Sequence, residues 1–297
     1  MNKIKFAIPG LWDHFTLTKE LVNYLKDNPD HCYSNIEIGA VYGNFPYTIW
    51  DGGRIFEQLN QASLEDIIEI KTYLAENNIP LRLIFTNPVL QPVHFFDRFC
   101  NLVCTICENE LNEIVINNPD LEEYLRIKYP KFNFISSTTK CNNFEESLKE
   151  LDKYKYICLD YNQNHNKKLK DLPQEQKNKI EFLCNAICPP GCPNRKEHYR
   201  LNGISLLNFY KPYRIDCGIK NSIVAKETRE YCNNISPQEI YNNFAPSGFS
   251  MFKLEGRTLP TMEVLLCYAD YFIKPEYQAQ FILSIYESVL SRKENNI

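Results

Sequence analysis

Residues 184–200 read CNAICPPGCPNRKEHYR and gather cysteines, a histidine and basic side chains around tight Pro/Gly turns. Cys188 and Cys192 are separated by Pro189, Pro190 and Gly191, a tripeptide that folds the chain back and can turn two thiolates toward one metal centre. Cys217 and Cys232 follow further along. Four soft thiolates suit an iron–sulfur cluster or a tetrahedral zinc. Structural zinc sites usually show two close cysteine pairs; here one pair is close and the other spread, which favours the cluster. The competing reading is a set of buried thiols with no metal, the commonest fate of free cysteine. Cys184 lies on a strand pattern and reads as core.

The second stretch with chemical potential is FKLEGR, 252–257. In a strand, Lys253, Glu255 and Arg257 share one face. Three charged groups cannot line a packed barrel interior without partners, so that face meets solvent or lines a polar site; a salt-bridged ladder without chemistry is the alternative. As a site, Arg257 would grip an anionic group and Glu255 would orient it or accept a proton. His198 and Arg195 would add hydrogen bonds to substrate or cluster, or simply start an exposed helix.

A third stretch, CNLVCTIC at 100–107, has the CxxxCxxC spacing of radical S-adenosylmethionine enzymes. Cys100, Cys104 and Cys107 are also i, i+4 and i+7, one face of a helix shared with Phe96, Val103 and Leu111. That second reading is favoured, because two strand–helix units precede the motif and the radical enzymes place it after the first.

These groups need elements to hold them. Eight strand patterns, 5–9, 35–43, 81–87, 113–118, 132–140, 156–160, 180–185 and 249–257, alternate with helical ones, as expected of βα units around a parallel sheet. Ser63 with Asp66 marks a capping box, Asn143 an N-cap and Pro119 a first helical turn. The fold class is α/β, a (β/α)8 TIM-barrel-like single domain over 1–297, with a cysteine-containing insertion at 186–248 between strands seven and eight. Chemistry in such barrels gathers on the loops after the strands, where the insertion begins. The segment 43–54, GNFPYTIWDGGR, reads as an aromatic cover of the barrel mouth more than a substrate wall, and Gly52-Gly53 as a turn.

The 297 residues carry a net charge of −4, with no general pull toward nucleic acid. A basic surface at Arg195, Lys196, Arg200 and Lys211 would be the exception. No stretch has the apolar length of a membrane span and the first residues do not read as a signal peptide, so a cytoplasmic protein is expected, its twelve cysteines reduced.

The run from 182 to 200, the later Cys217 and the segment 235–257 ending in FKLEGR resemble the collagenase-like peptidase family U-32, with weaker similarity at 115–139. The resemblance implies a TIM-barrel-like domain with a 4Fe-4S cluster on Cys188, Cys192, Cys217 and Cys232, with Cys184 as the substitute for the last. It implies oxygen-independent hydroxylation or related redox chemistry on a small-molecule or nucleobase-like substrate. Glu255, Arg257 and His198 are the catalytic candidates. Alternatives are the radical enzyme, a peptidase as the family name suggests, and a zinc- or cluster-stabilised binding module without catalysis.

Overall fold

The computed structural model describes residues 3–54, 60–208 and 233–294. Eight parallel strands close into a barrel in chain order: β1 Ile4–Pro9, β2 Ile36–Gly43, β3 Leu81–Phe85, β4 Glu113–Ile116, β5 Asn133–Ser136, β6 Tyr156–Leu159, β7 Ile180–Leu183 and β8 Met251–Lys253. β8 pairs with both β7 and β1, which closes the ring. Each expected strand is present. The alternation of the strands explains the two apolar layers. Outward residues such as Phe6, Leu83, Ile114, Phe134, Phe182 and Phe252 pack beneath the helices in one large core. Inward residues Ala7, Ala40, Tyr42, Ile84, Val115, Ile135, Cys158 and Met251 fill the barrel.

The helical signals hold locally. Helix α2, Leu64–Glu76, starts with a reciprocal capping box between Ser63 and Asp66. In α4, Pro119–Lys128, Pro119 sits at the start and the Asn118 side chain accepts from the Asp120 and Leu121 amides. Asn143 caps Phe144–Lys149. Near the C-terminus, Phe281 and Ile285 of the helix Gln278–Glu294 are buried against the core.

The two ends of the barrel differ. At the lower end, beneath the inward apolar layer, buried Arg82 pairs with Glu113 at 2.6 Å and with Glu181 at 2.5 Å, and Lys155 reaches Glu113 at 2.8 Å. Three strands, β3, β4 and β7, are thereby tied together by charge, with Lys155 joining from just before β6. At the upper end, where the strands finish, helix α7, Arg195–Leu207, crosses from the insertion toward the loops after β2 and β3. Asn202 donates to the Gly53 carbonyl at 2.9 Å, and Asn87 donates to the Gly203 carbonyl at 3.2 Å. A Cβ at Gly203 would stand 2.2 Å from the Asn87 side-chain oxygen, so glycine permits the contact. Among the described residues, no helix is long and apolar enough to cross a membrane.

Candidate active site

Beyond β8 the chain stays extended long enough to deliver three charged side chains to one place. Lys253, Glu255 and Arg257 all line a cavity of about 70 Å³ at the upper end of the barrel, together with Tyr42, Gly52, Arg54, Thr86, Ser137, Tyr161, Cys188 and Tyr199. The alternating face of FKLEGR therefore points inward, onto a polar site.

Each charge has a distinct setting. Arg257 is buried and donates to Asp51 at 2.7 Å and to the Gly52 carbonyl at 2.8 Å. Burial pushes the Asp51 carboxyl up from its ordinary value, an effect the neighbouring Arg257 opposes. Asp51 reaches this position because Gly52 lies against the backbone after β3, where a Cβ would be 2.4 Å from the Thr86 carbonyl carbon. Glu255 pairs with Arg54, and its second oxygen accepts from the Ile187 amide at 2.9 Å. Asn185 fixes the Glu255 backbone from both sides, accepting from its amide at 2.5 Å and donating to its carbonyl at 3.0 Å. Lys253 is different. Among the described residues no carboxylate pairs with it; its Nζ lies 4.3 Å from the centre of the Tyr42 ring. Burial holds its pKa below the ordinary lysine value, against the opposing influence of Cys158 and Glu181.

The cysteine loop borders the same cavity. Gly191 takes a left-handed φ of 66°, and the turn is held by the segment after β6: the Gly191 amide donates to Asn162 at 3.0 Å, and the Tyr161 hydroxyl donates to the Pro189 carbonyl at 3.1 Å. Cys188 accepts from Arg54 Nη2 at 3.3 Å, so one guanidinium spans Glu255 and Cys188. Cys192 lines a neighbouring recess with Cys141, Asp160 and Arg195. Cys188 and Cys192 are both half-buried, and neither is in a disulfide. Cys217 and Cys232 lie outside the described residues. Among the described residues no three Cys, His, Asp or Glu side chains gather as a metal site.

The remaining candidates are placed as follows. Arg195 is buried, paired with Asp160 at 2.6 Å, donating to the Thr138 carbonyl at 3.0 Å and lying 4.3 Å over the Tyr161 ring. It anchors α7, and does not contribute to a basic surface. Arg200 pairs with Glu197 at 2.7 Å, and Lys211 lies outside the described residues. His198 stands half-buried on α7, while the neighbouring Tyr199 is the residue that lines the cavity. Cys184 is fully buried in the main core. Cys100, Cys104 and Cys107 occupy one face of α3, Arg98–Cys107, and all three are fully buried. In the loop after β2, Phe45 and Trp50 are buried as a cover, with the Trp50 indole donating to the His94 carbonyl at 2.8 Å. Sequence reading missed Asp51 and Arg54, whereas Thr86 stands at a polar strand end, as a site on that face would need. The available signal was Asp-Gly-Gly-Arg after a strand, read only as a turn.

No family model matches the chain, and no curated protein matches it in sequence. Among solved structures, the U32 peptidase Mk0906 superposes with a TM-score of 0.52 at 12% identity, covering 88% of this chain and 95% of that one. The chain has a U32-like fold. The spore cortex-lytic enzyme SleL of Bacillus cereus, at a TM-score of 0.40 and 8% identity, covers 89% of this chain and 73% of that one. In the U32-like barrel the cysteine loop and the FKLEGR strand, which carried the resemblance in sequence, meet at one cavity through Arg54.

Proposed function

We propose that this U32-like barrel is an enzyme that holds a 4Fe-4S cluster on Cys188, Cys192, Cys217 and Cys232 and performs a hydroxyl-transfer or related redox step on a small anionic substrate at the upper mouth. Two of the four donors are placed, Cys188 on the cavity and Cys192 on the neighbouring recess, and their soft sulfurs are of the kind such a group takes. Cys188 and Cys192 are unbridged thiols on a fixed turn, and Cys188 already accepts a charge-assisted hydrogen bond, which stabilises a thiolate ligand. The remaining two ligands would come from the part of the insertion that holds Cys217 and Cys232. When bound, the cluster supplies one-electron transfer beside the cavity.

The other roles belong to the chain's own side chains. Arg54 and Arg257 line the cavity wall, each paired with a carboxylate, and offer guanidinium donors to an anion there. Glu255 presents a carboxylate to the same space and holds or releases a proton. Tyr42, Tyr161 and Tyr199 restrict water. Thr86 Oγ1 is buried, lines the cavity and has no hydrogen-bond partner among the described residues, the state expected of a group reserved for a ligand.

The observation that carries this reading is Arg54, which joins the cysteine loop to the strand-end carboxylate. A peptidase reading draws on the name of the similar structure alone. Purification without oxygen, followed by iron, sulfide and zinc analysis and an absorption spectrum, tests the proposal. Iron and sulfide in equal amounts with a brown chromophore are expected. A colourless protein with bound zinc would replace it with the metal-stabilised binding module, and a metal-free protein that gains no cluster on reconstitution would end it.

A further inference from the structure

The charges at the mouth pair off unevenly. Arg257 is matched by Asp51 and Arg54 by Glu255, which leaves Lys253 as the cavity-lining cation with no carboxylate partner among the described residues. A lysine in that position, inside a barrel and at the end of a strand, is costly to keep charged. The charged and titratable groups around it come from several elements: Cys158 on β6, Glu181 on β7, Arg82 on β3 and Arg257 beyond β8. Tyr42 presents its ring to Nζ at 4.3 Å, while its hydroxyl donates to the Leu254 carbonyl at 2.6 Å.

We propose that Lys253 is a nucleophilic amine that forms an imine with a small 2-oxo acid. This names the substrate class of the cavity and shares with the proposed function the assumption that a small anion binds there, but it does not depend on the cluster. The neutral Nζ lone pair attacks the ketone or aldehyde carbon, and the carbonyl oxygen takes a proton to give a carbinolamine. A second proton leaves with that oxygen as water, and the C=N bond forms as an iminium. Nothing is oxidised or reduced. The positive charge regenerated at Nζ is then balanced by the substrate's own carboxylate. Glu255 lines the same cavity as the proton carrier, and Thr86 Oγ1 as a free hydrogen-bonding group for the carboxylate.

The test is reductive trapping on the full-length protein. Wild type is incubated at neutral pH with pyruvate or glyoxylate and sodium cyanoborohydride, then digested and mapped by mass spectrometry. The carboxyalkyl group is expected on Lys253 at a rate roughly tenfold or more above that of exposed lysines, since burial favours its unprotonated, nucleophilic form over that of a surface lysine. Lys153 and Lys168, with side chains 53% and 67% exposed, are the internal standards. Lys253→Met keeps the length of the apolar stem and has no amine to form the imine, so it should lose the fast adduct and retain the slow ones. Label spread over the exposed lysines with none on Lys253 would overturn the inference. Iron and sulfide are assayed on the same samples. Fast trapping in a protein without a cluster would sink the proposed cofactor and leave the lysine standing; an intact cluster with a silent Lys253 would do the reverse.

Discussion

Cys100–Cys104 and Cys188–Cys192 share one spacing and sit in opposite environments. Between the first pair stand Asn101, Leu102 and Val103, residues a helix accepts, and α3 stacks both sulfurs on its inner face with no exposed surface. Between the second pair stand Pro189, Pro190 and Gly191. Proline restricts the residue before it and removes an amide, so no helix forms, and Gly191 turns the chain with a positive φ. The second pair is left half-buried on a loop, with a guanidinium on Cys188. Spacing alone therefore does not distinguish a core face from a ligand loop; the intervening residues do.

That contrast can be tested from its strongest side first. Replacing Cys100, Cys104 and Cys107 together by alanine removes three buried sulfurs, each worth about 1–2 kcal/mol by the usual cost of core truncation. Urea unfolding should show a loss of several kcal/mol, whereas Cys188→Ala in metal-free protein should stay within about 1 kcal/mol. Equal losses at the two places would erase the distinction. Alkaline titration gives a smaller effect. Burial pushes the Cys107 thiol from its ordinary 9.0 up to about 12. Its folded value is raised, so the stability it contributes is complete below about pH 9 and is lost as pH climbs toward 12. Cys107→Val should flatten that alkaline decline in the unfolding free energy. The smallest effect is expected at Gly191, where an added Cβ meets nothing within 4 Å. Gly191→Ala should cost only the left-handed backbone strain, about 1 kcal/mol, and lower the iron content if the turn positions the thiolates.

Much of the barrel was legible from sequence because its strands are short apolar runs whose period is local. The errors fall at the strand ends. The run 132–140 reads as one strand, but β5 ends at Ser136, where the Ser137 hydroxyl accepts from the Thr139 amide and starts a turn. The run 249–257 shrinks to Met251–Lys253, yet its alternation survives, so that Lys253, Glu255 and Arg257 still reach one cavity. Asp51 and Arg54 were illegible for a different reason. Asp51 meets Arg257 across 206 residues of sequence and Arg54 meets Glu255 across 201, and no local pattern records such a partnership. The depth of Arg195 was hidden likewise, since Asp160 and Thr138 arrive from β6 and the loop after β5.

The most direct test of the account compares iron and sulfide in anaerobically purified wild type, Cys188→Ser/Cys192→Ser and Cys104→Ala. The account predicts that the loop variant loses the iron and the brown absorption while Cys104→Ala keeps both at the wild-type level. Retention of iron by the loop variant, or its loss on replacing Cys104 in a protein that remains folded by circular dichroism, would contradict it.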